Sequence, residues 1–199
     1  MTIKALVEVQ QMNARNQTGC QPEGNGEVDV LHELNNEPLK VIEPVRLFVS
    51  YAHEDERLLK RLDPMLAILE QHYGLQSWRD RRLISGVEWE KEIRRHLENM
   101  DIFLFIASPI SLVRPYIRNI ELRRARERWE QGEVQIVTVK LEPCACDEDE
   151  VLGKLQRLGS RFPSIAQAKL KSAAWEQVRL DLLPVISDIQ KRKGCNEHV

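Results

Sequence analysis

One acidic residue of this chain stands where apolar side chains are expected. On a helical wheel, Glu121 falls between Ile117 and Ala125, on the face that should pack against the core. An ionised carboxylate on an inward face normally has a charged partner or a chemical task. We therefore keep two hypotheses for Glu121, a catalytic carboxylate or one that a nearby arginine neutralises. The candidate arginines are Arg79, Arg118 and Arg124.

A hydroxyl and an aromatic ring end an apolar run earlier in the chain. The run at 47–49 is followed directly by Ser50 and Tyr51, and then by acidic residues typical of a helix start. In parallel α/β sheets, ligands bind at the carboxyl ends of the strands. The helix N-terminus beyond Tyr51 favours an anionic group such as a diphosphate. The competing interpretation is that Ser50 only caps or turns the chain.

Further polar and aromatic side chains occur where later strands should give way to helices. Arg79 follows a short apolar run and opens a polar loop that ends at Gly86. Ser108 follows the most apolar segment of the chain, and Tyr116 lies near the start of a helical pattern. Such junctions share one edge of a parallel sheet, so we expect one common cleft. Trp89 lies in a helical pattern close to the loop, where its ring either packs in the core or stacks on a ligand.

Arginine is dense around Glu121. One interpretation is a phosphate or nucleic-acid surface, and the other, which we favour, is a solvated helix face paired with Glu127 and Glu130. The net charge of the chain is −2, so overall charge does not indicate nucleic-acid binding. The arginines of this segment are Arg114, Arg118, Arg123, Arg124, Arg126 and Arg128.

Several classes of site are disfavoured by the sequence. No Gly-x-Gly-x-x-Gly or Gly-Lys-Ser/Thr loop follows the first apolar run, which argues against a redox dinucleotide fold and a P-loop kinase. No Gly-x-Ser-x-Gly elbow of a hydrolase triad occurs. Cys144 and Cys146 are separated by one residue and lack a nearby histidine, so we expect reduced thiols and no metal. No apolar run reaches the ~18 residues of a membrane span.

Short apolar segments alternate with amphipathic ones along the chain. Buried parallel strands are continuous apolar runs, whereas helices repeat apolar residues every three to four positions. The alternation predicts right-handed βαβ units. The predicted fold class is α/β, a flavodoxin-like three-layer sandwich with a five-stranded parallel sheet. The predicted strands are 45–50, 75–78, 101–106 and 134–141, with a brief fifth strand near 162–165.

Proline and glycine residues indicate the limits of the helices. Pro64 lies inside the first helical pattern and predicts a kink or a break, since proline costs ~3 kcal/mol in a helix interior. Gly74 is a natural stop for that helix. Later helices are predicted at about 115–131 and at the C-terminus, where Pro184 would bend the chain, with a short helix around 151–158.

One domain and two tails are expected. Residues 1–43 are polar and lack apolar periodicity, so burial cannot offset their ordering entropy and we expect a flexible tail. The domain is predicted to span residues 44–191, with 192–199 as a C-terminal tail. The N-terminus lacks the apolar segment of a secretory signal, which predicts a cytoplasmic protein.

Taken in order, the motifs resemble the Toll/interleukin-1 receptor (TIR) domain family in its bacterial form. Each motif alone is weak, but their order and spacing over about residues 45–189 make the resemblance specific. The matching segments are the first box at 47–51, the second box and its BB loop at 78–80 with Ile84 and Gly86, the third strand with its Ser-Pro exit at 103–109, and the segment of the catalytic glutamate at 116–122.

The resemblance implies an enzyme that cleaves NAD⁺ at the nicotinamide–ribose bond. Glu121 would be its catalytic residue, with NAD⁺ as the substrate, no metal and no separate cofactor. The product would be ADP-ribose or a cyclic ADP-ribose. Two positions depart from the family pattern, because Ile117 stands where many active members have Trp and Ser85 replaces the Pro before Gly86. The residues that would bind the substrate are Ser50, Tyr51, Arg79, Gly86, Trp89, Ser108 and Tyr116.

A scaffold is the alternative function that the same resemblance leaves open. A non-catalytic TIR domain would mediate TIR–TIR contacts in signalling, here through the loop at 79–86. Nucleoside deoxyribosyltransferases share the layered fold and a catalytic glutamate, but their sequence signals are not visible. We expect self-association through TIR surfaces and activation by a separate sensor or activator protein in bacterial immune defence. Membrane binding and direct nucleic-acid binding are not expected.

Overall fold

A five-stranded sheet forms the centre of the described domain. The computed structural model describes residues 43–79 and 87–196. The strands are β1 (Val45–Ser50), β2 (Leu75–Arg79), β3 (Ile102–Ala107), β4 (Gln135–Lys140) and β5 (Gln156–Leu158). Their order is β2-β1-β3-β4-β5, and every neighbouring pair is parallel. The predicted five-stranded parallel sheet is confirmed, whereas the expected tail at residues 1–43 lies outside the described residues except for residue 43.

Helices cover both faces of the sheet. They are α1 (Leu62–Tyr73), α2 (Val87–Asn99), α3 (Pro109–Val113), a π-helix (Ile117–Leu122), α4 (Arg123–Glu130) and α5 (Lys171–Asn196). Along β3, Ile102 and Leu104 belong to the core layer under α1 and α5, and Phe103 and Phe105 belong to the layer under α2 and α4. This is the period-two alternation of a strand buried on both faces. The predicted three-layer sandwich is confirmed.

The fifth strand differs in position from the prediction. It pairs with β4 over three residues, Gln156–Leu158, and the segment at 151–158 forms only a 3₁₀ turn, Leu152–Lys154, before it. Of these strand residues only Leu158 is buried, so the edge strand has almost no apolar pattern. Ile165 is instead a buried loop residue, and its N–H donates to the carbonyl of Lys140 over 2.9 Å. Its apolar side chain therefore suggested a strand that is absent from this position.

Near Pro64, where a kink or a break was predicted, the structure instead has the start of helix α1. A 3₁₀ turn, Leu59–Arg61, precedes α1, and Pro64 lies in the first turn of α1. There the missing N–H of proline removes no intrahelical hydrogen bond. Helix α1 ends before Gly74, whose φ of 64° is left-handed and favours glycine.

Two later helices also differ from their predicted limits. The helix predicted at about 115–131 is divided into the π-helix and α4. Helix α5 contains Pro184 and continues to Asn196, beyond residue 191, the predicted end of the domain. Among the described helices, none combines the length and the apolar character that crossing a membrane requires.

Candidate active site

Glu121 and Ser50 meet at the carboxyl end of β1. The Ser50 hydroxyl donates a hydrogen bond to Oε2 of Glu121 over 2.5 Å, although the two residues are 71 positions apart in the chain. Ser50 is 1% exposed and Glu121 is 7% exposed. The inward position predicted for Glu121 is therefore confirmed. A short hydrogen bond from a buried hydroxyl holds the carboxylate in one orientation.

The orientation of Glu121 also depends on the π-helix that contains it. Hydrogen bonds of the i to i+5 type widen a helical turn. In this wide turn Ile117, Glu121 and Leu122 are all buried. Arg114 ends α3 in an extended conformation, as expected for a residue that precedes proline. The chain therefore starts a new helix after Arg114, and the wide turn directs Glu121 inward.

A narrow cleft lies beside Glu121. Its volume is about 70 Å³, and Tyr51, Trp89 and Tyr116 supply its larger aromatic walls. The rings of Trp89 and Tyr116 are 4.9 Å apart and tilted by 36°. The structure thus brings four residues predicted for the site, including Glu121, to one cleft. The remaining lining residues are Phe48, Val49, Ala52, His53, Arg114 and Ile117.

None of these six lining residues was among the predicted site residues, and two of them, Arg114 and His53, have polar side chains. Arg114 forms an ion pair with Glu54 and places a cation at the cleft. His53 packs its ring edge-on against Tyr51, with centroids 5.5 Å apart. In the sequence, Arg114 could have been recognised as a site candidate from its position before a proline, between a predicted strand and a predicted helix. His53 could have been recognised from its position two residues after Tyr51, just beyond the end of β1.

Arg79 lies next to the cleft lining rather than within it. Its side chain is 7% exposed and pairs with Asp63 and, at 3.8 Å, with Glu56. Its guanidinium carbon is 5.9 Å from the centre of the Tyr51 ring, and the Tyr51 hydroxyl donates to Glu56 over 2.6 Å. Arg79 therefore supports the Tyr51 wall. Gly86, the other residue predicted from this loop, lies outside the described residues.

Ser108 belongs to a second buried pair and does not line the cleft. Its hydroxyl donates to Oδ2 of Asp55 over 2.6 Å and accepts the N–H of Ser111 over 3.0 Å. The N–H of Ser108 in turn donates to the Ser111 hydroxyl over 2.9 Å, which completes a capping box at the start of α3. Burial raises the pKa of Asp55, the hydrogen bond from Ser108 opposes that rise, and the charge of Glu142 adds to it.

The arginines of residues 114–128 are paired with carboxylates. Arg118 lies 2.8 Å from Asp149, and Arg124 lies 3.0 Å from Glu127. The solvated, ion-paired helix face that we favoured is confirmed, and the arginines do not form a free cationic surface. Further pairs are Arg124–Glu98, Arg126–Glu130 and Arg128–Glu133, with N–O distances of 2.6, 2.8 and 2.9 Å.

Cysteine and potential metal-ligating side chains also occur in residues 43–79 and 87–196. There, no three or more His, Cys, Asp or Glu side chains are grouped so that they could hold a metal ion. Cys144 and Cys146 are free thiols. Burial, reinforced by Cys144, raises the pKa of Cys146 to about 12. Its thiol stays protonated at neutral pH and is a poor nucleophile.

Sequence comparisons agree with this architecture. The TIR domain profile matches residues 47–187, and the chain belongs to the TIR domain family. It is also similar to the protein y4lF of Sinorhizobium fredii, with 33% identity over 134 residues. That alignment covers 64% of this chain and 41% of the relative, so the chain corresponds to less than half of the length of y4lF.

Proposed function

We propose that this TIR domain cleaves NAD⁺ between nicotinamide and ribose, with Glu121 as the catalytic carboxylate. The supporting observation is a buried carboxylate, hydrogen-bonded by Ser50, in a cleft with aromatic walls. The TIR family includes members that cleave NAD⁺, and the segment around Glu121 resembles their catalytic segment.

The reaction suits a single carboxylate. The electron pair of the broken bond between C1′ and the pyridinium nitrogen neutralises nicotinamide, so the leaving group needs no proton. Ordinary glycosidases use two carboxylates because their leaving oxygen must be protonated. Glu121 would stabilise the positive charge that develops on the ribose. Water then adds to C1′ and loses a proton to give ADP-ribose, whereas attack by the adenine of the same molecule gives a cyclic product.

The other residues in and around the cleft have proposed roles that follow from their chemistry. Tyr51, Trp89 and Tyr116 offer flat surfaces to the nicotinamide ring. Arg114 offers a guanidinium group to the diphosphate. Ser50 holds the Glu121 carboxylate, and Ser108 acts indirectly by capping α3, the helix that precedes Arg114.

Activation by assembly or by a partner protein is part of the proposal. The cleft volume of about 70 Å³ is small beside the roughly 300–1,000 Å³ of typical ligand pockets. NAD⁺ binding therefore requires the cleft to widen. We propose that a separate sensor or activator, in bacterial immune defence, brings TIR domains together and stabilises the wider form.

Mass spectrometry of NAD⁺ products at high protein concentration tests this function. Wild type is expected to release nicotinamide, and Glu121→Gln should lower the rate by about 10³-fold without changing thermal unfolding. Glu127→Gln is the matched control, because Glu127 is a half-exposed glutamate on the neighbouring helix α4. Equal turnover by wild type and Glu121→Gln would refute the role of Glu121.

A TIR–TIR scaffold is the second candidate, and the narrowness of the cleft favours it. A scaffold would self-associate without releasing nicotinamide under any condition, and Glu121→Gln would associate as the wild type does. Analytical ultracentrifugation of both proteins, beside the product assay, separates the two functions. Nicotinamide release that depends on Glu121 would exclude a purely structural role.

A further inference from the structure

A second cavity lies on the α2 face of the sheet, apart from the Glu121 cleft. Its volume is about 350 Å³, in the range of small-molecule sites. Strands β1 and β2 and the second half of α2 enclose it, and Phe48 is its one lining residue in common with the cleft. We name it the Arg46 cavity. Its other charged, aromatic and amide-bearing lining residues are Arg46, Gln76, Trp78, Arg95, His96 and Asn99.

The charge of the Arg46 cavity is positive. Arg46 and Arg95 contribute guanidinium groups, and none of the described residues that line the cavity is acidic. Arg95 is bound to Glu92 over 2.5 Å at the helix surface. Within residues 43–79 and 87–196, by contrast, no carboxylate lies within 4.0 Å of the guanidinium nitrogens of Arg46. Arg46 is half-buried in β1, and a partly desolvated guanidinium group favours an anionic partner.

The carboxylate of Asp101, which contacts the backbone of Arg46, is already engaged. Oδ2 of Asp101 accepts the main-chain N–H of Arg46 over 2.7 Å. The same oxygen accepts a hydrogen bond from Nζ of Lys193, also over 2.7 Å. Asp101 thus holds the start of β1 and is neutralised by a lysine, so it leaves the positive charge of the cavity intact.

An aromatic pair forms one side of the cavity. The Trp78 and His96 rings stack with centroids 4.4 Å apart and an interplanar angle of 18°. Burial lowers the pKa of His96, which favours the neutral ring and leaves Arg46 as the source of uncompensated positive charge. Nε2 of His96 lies 3.0 Å from Oε1 of Glu92 and 3.4 Å from the guanidinium group of Arg95.

We propose that the Arg46 cavity binds a small oxyanion, a phosphate ester or a carboxylate, with Arg46 as the main contact. Guanidinium groups bind both kinds of oxyanion through two parallel hydrogen bonds. The Trp78–His96 pair offers a flat apolar surface to the rest of such a ligand. This site is separate from Glu121 and does not depend on the proposed cleavage of NAD⁺.

Titration of the full chain with inorganic pyrophosphate and with citrate tests the site. Calorimetry at constant ionic strength measures affinity, and backbone amide shifts in NMR spectra locate the binding. We expect saturable binding with the largest shifts at residues 76–78 and 95–99. Tighter binding of pyrophosphate would identify phosphate esters as the ligand class, and tighter binding of citrate would identify carboxylates. Absence of saturable binding of both up to about 10 mM would overturn the proposal.

Two arginine variants, one inside the cavity and one outside it, test the role of Arg46 and provide its control. Arg46→Gln should weaken binding about tenfold or more. Arg94→Gln also removes one positive charge, in this case from α2. It should leave the affinity unchanged, because Arg94 is exposed, pairs with Glu90 and does not line the cavity. An equal loss in both variants would overturn the proposal. If Arg46→Gln does not fold, Arg46→Lys replaces it as the test variant. Lysine keeps the charge but loses the bidentate geometry, so binding should still weaken.

Discussion

Two serine–carboxylate pairs lie at the same edge of the sheet but in different surroundings. Ser50 donates to Glu121 over 2.5 Å, and Ser108 donates to Asp55 over 2.6 Å. All four side chains are buried. Glu121 lines a cleft, whereas Asp55 does not. Nearly identical hydrogen bonds can therefore hold a carboxylate beside a cleft at one place and connect two segments of the fold at another.

The difference arises from the segments that carry the carboxylates. Glu121 lies on a π-helix beside the rings of Tyr116 and Trp89, which form walls of the narrow cleft. Asp55 lies in a 3₁₀ turn just after β1, and its partner Ser108 also caps α3. The Asp55 pair is thus part of a wider backbone network. We expect loss of the Glu121 pair to affect activity and loss of the Asp55 pair to affect stability.

Among the variants that test this comparison, deletion of Asn119 should have the largest effect, which is a loss of NAD⁺ cleavage. Asn119 is exposed in the π-helix, and removal of one residue lets this segment close as an ordinary α-helix. Glu121 would turn by about 100° away from Ser50, and NAD⁺ cleavage should fall by about 10³-fold. Chromatographic assay of nicotinamide measures the loss. Asn119→Ala keeps the helix length and should retain activity, and full turnover by the deletion variant would contradict the role of the π-helix.

Asp55→Ala should lower the free energy of unfolding by about 2–3 kcal/mol, because it leaves the buried Ser108 hydroxyl without its acceptor. Urea denaturation followed by circular dichroism measures the change. Asp188→Ala is the control, since Asp188 is 71% exposed, and its effect should be within about 0.5 kcal/mol of zero. If both variants unfold alike, the Asp55 pair does not stabilise the fold as proposed.

Ser50→Ala should lower kcat for NAD⁺ cleavage about tenfold, because Glu121 loses the hydrogen bond that orients it. The effect should appear in kcat more than in KM, since the proposed role of Ser50 is to hold the carboxylate. Steady-state kinetics with wild type and Ser50→Ala measures both constants. A higher KM with unchanged kcat would instead mean that Ser50 binds the substrate directly.

The smallest expected effect is a pH dependence of stability from Asp55. Its pKa in the folded protein is raised above the ordinary value of 3.8, mainly by burial, so the folded state binds the proton more tightly than the unfolded state. This contribution to stability is complete below about pH 4 and is lost as the pH rises through the folded pKa. The stability of wild type relative to Asp55→Asn should therefore be greater at pH 4 than at pH 7. Urea denaturation at both values checks the sign, and an opposite slope would contradict it.

Several parts of the fold and site could be predicted because they depend on local patterns. The apolar runs of β1 and β3 identify buried strands, and the helical wheel places Glu121 inward. The position of β5 could not be predicted in this way. Its three residues include one buried side chain, and hydrogen bonding to β4 rather than apolar pattern defines the strand.

Ser108 shows a different limit of local patterns. Its place at the end of β3 predicted a cleft residue, like Ser50 at the end of β1. In the structure α3 begins immediately after Ser108, so its hydroxyl caps that helix and reaches Asp55, 53 positions earlier in the chain. The choice between cleft and cap depends on where the next segment runs, which residue type and position in the strand do not specify.

The sequence alone determined the α/β order of elements, the TIR family and the inward position of Glu121, because these follow from periodicity and motif spacing along the chain. Only the tertiary structure decided which serine contacts which carboxylate, since the strand order brings together residues 71 and 53 positions apart. It also decided that the turn at Glu121 is a π-helix and that Arg46 lines a separate cavity. Such features depend on how whole elements pack, and packing is a property of the assembled sheet and helices.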